Sequence, residues 1–347
     1  TVLSLMFFLG VDVSKKTLAV VLSDHKDKIL WSNKSIPNDE VGFKKLVETV
    51  IKNTSKKAGK EEYSIAAGME STGVYGERLA YYLNGNSHNG RIVTYVLNPA
   101  AVRAFGNSVM TPNKNDSADA QLIASYLSMA VTKEQISPWK APSPEGRALR
   151  ELSRRREELT ELHASECNRL EKLECMQEPP EAIVRNVREH ICYLKDSIHI
   201  LEKEIEEHID DDPCMREDIE LLRSIPGIGD VTSVTLQGES DGLNNFQSVK
   251  GLVSFVGIAP REHTSGTSVF KKSKISRRGN SRIRHHLYMA TLVAARVNPV
   301  IKEFYERLLN RGKCKKLALV ACMRKMLHII WGVMKNRKRF DPCYSLK

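Results

Sequence analysis

A carboxylate inside an apolar run restricts a fold sharply, and this chain has two of them. Asp12 interrupts Phe7-Phe8-Leu9-Gly10-Val11-Asp12-Val13, and Glu70 ends Ile65-Ala66-Ala67-Gly68-Met69-Glu70. Both runs read as buried strands. A charge there is costly unless it is paired or holds a cation. Asp116 and Asp119 follow, three apart at the start of a helix-like segment, so that both point to one side. Two strand acids and an i, i+3 pair together suggest a cage of hard oxygen ligands for divalent cations. The commonest use of such a cage is phosphodiester cleavage.

The surrounding elements give these acids a setting. Residues 7–13, 17–22 and 28–35 read as three short strands joined by tight polar turns. Residues 39–57 carry helical spacing at Phe43, Leu46, Val47, Val50 and Ile51. A strand over 63–69, a helix near 75–84, a strand over 91–97 and a helix near 99–106 come next, and a last helix begins near Asp116. The order β-β-β-α-β-α-β-α is α/β. It is also the order of the ribonuclease H-like fold, in which acids on the first and fourth strands and on a late helix converge. The polar segment from Asn107 to Asn115 reads as a loop able to move over the site. This domain is expected to span 1–137.

Pro138, Pro142 and Pro144 mark a linker, and the segment 138–213 reads as an arm. Glu145 to Glu174 alternates charges with Leu149, Leu152, Leu159, Leu162, Leu170 and Leu173. Pro179-Pro180 breaks it. Apolar residues at 183, 187, 191, 194, 198, 201, 205 and 209 then form a heptad seam. The pattern predicts an antiparallel helical hairpin, serving either as an oligomerisation element or as an ordinary intramolecular pair. Its acidic end, Asp210 to Asp212, is not expected to touch DNA.

The remainder, 214–347, is expected to be mainly helical. Ile225-Pro226-Gly227-Ile228-Gly229 after an apolar helix end is a helix-hairpin-helix pattern, with Gly227 and Gly229 letting backbone N–H groups approach a phosphate. From Arg223 onward there are 24 Lys and Arg against 7 Asp and Glu, a balance of +17; the first 222 residues have 29 against 35, a balance of −6. A basic third of this kind is an electrostatic footprint for nucleic acid. Within it Arg261, Lys271, Lys272, Lys274, Arg277 and Arg278 surround a polar loop carrying Thr264, Ser265, Gly266, Thr267 and Ser268. A helix then starts at Gly279-Asn280 with Arg282 and Arg284 in its first turn. Basic side chains and a helix N-terminus beside a loop serine would bind phosphate. Serine attacks phosphorus only when a base, a metal or nearby positive charge activates it. From spacing alone, the loop serines read more simply as turn formers.

Composition closes other classes. With 347 residues the chain can build two or more cores, and no apolar stretch approaches the roughly 18 residues of a membrane span. The N-terminal run has no basic leader, so it is not expected to be a signal peptide. Met6, just before the first strand, is an alternative start. Seven scattered cysteines without a CxxC pair argue against a zinc ribbon or disulfide framework and for a reducing cytoplasm.

Taken together, the motifs resemble those of the DEDD transposases of the IS one-ten insertion-sequence family, the bridge-RNA-guided recombinases. The resemblance runs from Gly10 to Lys15, Met69 to Tyr75 and Lys114 to Ala120, then through Ile225 to Gly229, Phe255 to Arg261 and Ile275 to Arg284. It implies a RuvC-like (RNase H-like) catalytic domain, a coiled-coil arm and a C-terminal transposase domain. It also implies that Asp12, Glu70, Asp116 and Asp119 are the acidic quartet holding Mg²⁺ or Mn²⁺. The family's nucleophilic serine falls on Ser265, immediately before Gly266; Ser268 is the weaker match. The expected partners are donor and target DNA, a structured noncoding guide RNA and further copies of the chain, as a dimer or tetramer. The expected location is the bacterial or archaeal cytoplasm, at the nucleoid. Two rivals use the same residues differently. A hydrolytic nuclease of the Holliday-junction resolvase type would keep the quartet and use water. A non-enzymatic nucleic-acid-binding protein would keep only the basic domain.

Overall fold

The computed structural model describes residues 5–71, 73–85, 90–109, 116–265, 269–276 and 279–343, of which 116–117 and 261–274 are described by their backbone. The chain divides into two compact units, 1–141 and 142–347.

The first unit is built on a five-stranded sheet. Strands β1 (Leu5–Val13), β2 (Thr17–Ser23) and β3 (Ile29–Pro37) form an antiparallel meander. After helix α1 (Glu40–Ala58), strand β4 (Tyr63–Glu70) pairs parallel to β1. Helix α2 (Val74–Gly85) then leads to β5 (Ile92–Leu97), parallel to β4. The strand order is β3-β2-β1-β4-β5. Helices α3 (Pro99–Ser108) and α4 (Asp116–Thr132) follow. The predicted order of elements is therefore present, with ends shifted by one or two residues.

Strand periodicity separates the two faces of this sheet. Phe7, Leu9 and Val11 of β1, with Ile65, Ala67 and Met69 of β4, pack against Phe43, Leu46, Val47 and Val50 of α1 and Leu79 and Leu83 of α2. The alternate residues Phe8 and Ala66 pack on the other face with Val102 of α3 and Ile123 and Leu127 of α4. Both central strands are thus covered on both sides, which explains their near-continuous apolar runs.

The second unit begins with a helical hairpin, α5 (Pro144–Glu174) and α6 (Glu181–Asp210). Val187, Leu194, Ile205 and Ile209 of the predicted seam are buried, as are Leu149 and Leu159 of α5. Arg156–Glu202 (2.9 Å) and Arg188–Glu174 (3.0 Å) pair across the hairpin. The hairpin's root rests on α7 (Pro213–Arg223) and α8 (Asp230–Ser240), where Leu149, Ile205, Ile209, Met215, Ile219 and Val234 form one cluster. The acids at 210–212 lie at this root, and Asp212 caps α7 by accepting from the Cys214 and Met215 amides.

Helices α9 (Val249–Val256), α10 (Ser281–Val297), α11 (Pro299–Asn310) and α12 (Lys315–Asn336) complete a mainly helical body. Its core joins Leu222, Leu252, Ile283, Leu287, Met326 and Ile330. Helix α12 corrects one expectation. By length and composition its 22 residues could cross a membrane, but half of its most apolar window is buried in the protein. Arg324 and Lys325 within it obscure that apolarity in the sequence. All seven cysteines are free thiols.

A second departure concerns 260–275. The sequence reads as a polar loop at Thr264 to Ser268 flanked by cations, whereas the chain forms a two-stranded antiparallel ribbon, β6 (Pro260–Ser265) with β7 (Val269–Ile275). The sequence gives no strand signal there, because Lys271, Lys272 and Lys274 and the run of Thr and Ser leave no alternation of apolar residues.

Candidate active site

Parity along the strands brings the first two acids together. Gly10 faces α4, since a Cβ built there would lie 2.1 Å from the Ala120 carbonyl oxygen and 2.9 Å from the Ala124 Cβ. Asp12 is two residues on, so it looks out on the same side. Gly68 likewise faces Leu127 of α4, and Glu70 is two residues beyond it. Gly10 and Gly68 are register partners in the parallel β1–β4 pair, as are Val11 and Met69. The two acids therefore leave adjacent strands at one edge of the sheet, beneath the N-terminal end of α4.

Helix α4 supplies the rest. Ala120, Ile123, Ala124, Leu127 and Ala130 are its buried stripe. Asp119, adjacent to Ala120, is half-buried. Residue 116 opens the helix, four residues before Ala120. Two acids in a first turn sit at the positive end of the helix dipole, which favours their charge. The small residues at 120 and 124 and the absent side chain at Gly10 let the helix backbone press onto β1.

The electrostatics report the same convergence. Burial pushes the Glu70 carboxyl above its ordinary value, the Arg103 charge opposes this, and the Asp12 and Asp119 charges push it further up. The like charges of Asp12 and Asp119 both reach Glu70, a repulsion that a divalent cation would relieve. Their hard oxygens suit Mg²⁺ or Mn²⁺. Among the described residues no trio of His, Cys, Asp or Glu is close enough to hold a metal ion; the Asp116 side chain is not among them.

Two residues here escape sequence reading. Arg103, exposed on α3, is the cation whose charge reaches Glu70. Asn38 donates its side-chain amide to the Ser14 carbonyl (2.9 Å) and the Tyr75 carbonyl (3.2 Å). It ties the turn after β1 to the start of α2, and so braces the segments flanking Asp12 and Glu70. Neither residue has a motif around it; only the folded register reveals them.

The residues expected in the basic domain fall into three groups. Ser265 ends β6 opposite Val269, and Arg261 and Lys274 are register partners, as are His263 and Lys271. Lys271, Lys272 and Lys274 therefore all stand on one short strand that pairs with the serine strand. Gly266, Arg277 and Arg278 lie outside the described residues. Arg282 and Arg284 have intramolecular work: Arg282 pairs with Glu157 of α5, and Arg284 donates to the Val256 carbonyl (2.9 Å). Gly227, at φ +102°, packs against α10, where a Cβ would fall 2.6 Å from that of Ala294. Its lack of a side chain thus serves packing. Gly229 faces open space before α8, whose first residue, Asp230, pairs with Arg223 (2.7 Å).

Comparison with known proteins agrees with this geometry. Residues 9–174 match the family described as "Transposase", the DEDD transposases of the IS110 type, and residues 219–306 match "Transposase IS116/IS110/IS902 family". The "Pilin gene-inverting protein" of Moraxella bovis is 30% identical over 338 residues, covering 96% of this chain and 97% of that one. The "Transposase for insertion sequence element IS1328" of Yersinia enterocolitica is 26% identical over 275 residues, covering 70% and 78%. The "Transposase for insertion sequence element IS1111A" of Coxiella burnetii is 28% identical over 127 residues, 36% and 35% of the two chains. The DEDD match spans all four acids, and a relative as long as this chain aligns with nearly all of it. The chain belongs to the IS110/IS116/IS902 family of DEDD transposases.

Proposed function

We propose that this transposase cuts and rejoins DNA through a phosphoserine intermediate formed at Ser265, with Asp12, Glu70, Asp116 and Asp119 holding Mg²⁺ or Mn²⁺. The observation that carries the reading is that Glu70 is held above its ordinary value by burial and by the charges of Asp12 on the neighbouring strand and Asp119 on α4. The sheet order supports an RNase H-like, RuvC-like fold for residues 1–137; a coiled-coil arm over 138–213 and a transposase domain over 214–347 complete the proposed organisation. When bound, the cation neutralises charge on the scissile phosphate and on the leaving oxygen.

The chain's own residues do the rest. The Ser265 Oγ forms a bond to phosphorus while the bond to the 3′ oxygen breaks. The Oγ proton is given up, and the leaving 3′ oxygen takes up a proton as a hydroxyl. Reversal of the attack after strand exchange reseals the backbone without loss of bond energy. Arg261, Lys271, Lys272 and Lys274 on the ribbon and Arg277 and Arg278 beyond it would steady the phosphates, while Arg282 and Arg284 pair within the chain. The amides at Gly227 and Gly229 would add backbone contacts to DNA. A structured noncoding RNA pairing with donor and target DNA would supply sequence choice, and the strong basic balance accommodates RNA and DNA alike. In the family this resemblance points to, serine and quartet meet from different subunits of a dimer or tetramer, acting in the cytoplasm at the nucleoid.

The test is to incubate the full chain with its element-end RNA, Mg²⁺ and labelled donor DNA, and to quench in denaturant. An adduct of DNA on protein that vanishes in Ser265→Ala and in Asp119→Asn is expected. Cleavage without an adduct, unaffected by Ser265→Ala, would replace the serine with water as nucleophile and favour a resolvase-type nuclease. Binding with neither cleavage nor adduct would leave a nucleic-acid-binding protein.

A further inference from the structure

The serine ribbon joins the helical body between α9 and α10. Going out, it follows α9 through Gly257 to Ala259; coming back, it returns through Ser276 to Asn280. Three backbone carbonyls of the outgoing side are taken by the returning side. The Ser276 amide donates to the Ala259 carbonyl (2.9 Å), the Asn280 amide to the Phe255 carbonyl (2.7 Å), and the Arg284 guanidinium to the Val256 carbonyl (2.9 Å). Gly279 is required here: at φ +154° a Cβ would fall 2.2 Å from the Phe255 carbonyl oxygen.

A buried carboxylate binds this root to the arm. The Glu239 side chain on α8 is 6% exposed, and nothing in the proposed chemistry uses it. It accepts two hydrogen bonds from Arg154 of α5 (2.7 and 3.0 Å) and one from the Asn280 side-chain amide (2.6 Å). The same Asn280 side chain accepts from the Ile283 amide (3.0 Å) and so caps α10. One turn along α5 from Arg154, Glu157 accepts from Arg282 and lies 3.3 Å from His286, both on α10. Burial alone would raise the Glu239 carboxyl, yet Arg154, Asn280 and Arg150 bring it below its ordinary value, so Glu239 is ionised near neutrality.

A bidentate guanidinium pair to a buried acid is rigid and directional. A surface ion pair on a long helix would be worth little. Here the acid is sheltered and its third bond reaches the residue that starts α10. The arrangement is more than is needed to hold α5 on α8, which already pack through Leu149 and Val234.

We infer that Glu239 is a positioning residue, which with Arg154 and Asn280 clamps the root of the Ser265 ribbon to the first turns of the arm. The ribbon's direction then follows the arm, so the arm sets where the serine is presented. The inference rests on the reading of Ser265 as the nucleophile only for its catalytic consequence; the clamp itself is a mechanical claim.

Two measurements on the full-length chain separate these. The first is backbone hydrogen exchange of residues 260–275 without nucleic acid. Arg154→Ala and Asn280→Ser are the variants, the latter keeping a capping hydroxyl for α10 while losing the donor to Glu239. Exchange in the ribbon is expected to quicken about tenfold or more in both, while exchange in β1, β4 and β5 is unchanged. Unchanged ribbon exchange in both folded variants would overturn the clamp. The second is single-turnover adduct formation beside the Ser265→Ala control. Glu239→Gln and Asn280→Ser are expected to slow it by about 100-fold, the scale of a misplacement near 1 Å, with DNA affinity held. Wild-type adduct rates in folded Glu239→Gln and Asn280→Ser would likewise overturn it. If the wild type itself forms no adduct, the nucleophile reading falls, and the exchange result still decides the clamp.

Discussion

Gly10 shows how one missing side chain can assemble a site. Its Cα lies against the backbone of α4, and no rotamer change can make room for a methyl group 2.1 Å from a carbonyl oxygen. Gly10→Ala should therefore push α4 off β1 and separate Asp119 from Asp12. We expect a loss on the order of 1–3 kcal/mol in urea unfolding of the chain, the usual cost of overpacking, together with loss of DNA cleavage. Wild-type stability would mean that α4 does not press on the strand. Glu70 has the opposite character, because its charge opposes folding. Its raised carboxyl keeps a proton that the unfolded chain has lost, so the metal-free protein should lose stability as pH rises above the ordinary value of 4.5 through the raised one. Glu70→Gln should abolish that decline and raise the metal-free Tm at neutral pH while destroying activity. A Tm that falls in Glu70→Gln would show that the acid is held by a partner it needs.

At the scale of elements, legibility followed apolar periodicity. The central strands and the helices of the first unit are readable because each buries a face, and Asp12 and Glu70 stand out as breaks in the strand pattern. Arg103 and Asn38 were not readable, since polar residues on helices and turns acquire meaning only from what the fold places beside them. The ribbon was misread for a related reason: its sequence carries cations where a buried strand would carry apolar residues. That composition is itself a prediction. Replacing Lys271, Lys272 and Lys274 together by Gln should weaken nucleic-acid binding and flatten its dependence on salt, reducing the slope of log K against log salt by about 2 to 3 for three phosphate contacts. An unchanged slope in a folded variant would place the phosphate contacts on other cations, such as those of α11 and α12.

For the whole molecule the question is how two centres in two compact units serve one reaction. The acids lie in 1–141 and Ser265 lies in 142–347. If each working site takes its quartet from one subunit and its serine from another, two dead proteins should restore one another. Asp119→Asn and Ser265→Ala chains, each inactive alone, would be mixed and allowed to re-assemble. In a two-fold dimer about half of the randomly formed pairs are mixed, and each mixed pair has one site with both parts intact and one with both lost. Adduct formation should then recover to about a quarter of wild type. Were both parts drawn from a single chain, every site in the mixed pair would carry one defect, and recovery would be nil. The arm enters the same experiment. Its exposed apolar residues Tyr193 (67%) and Ile200 (60%) lie seven apart on α6, two turns along one side. If that side joins the subunits, Tyr193→Glu with Ile200→Glu in both chains should abolish the recovery and yield monomers in sedimentation. Recovery that survives those changes would place the subunit contact on another surface.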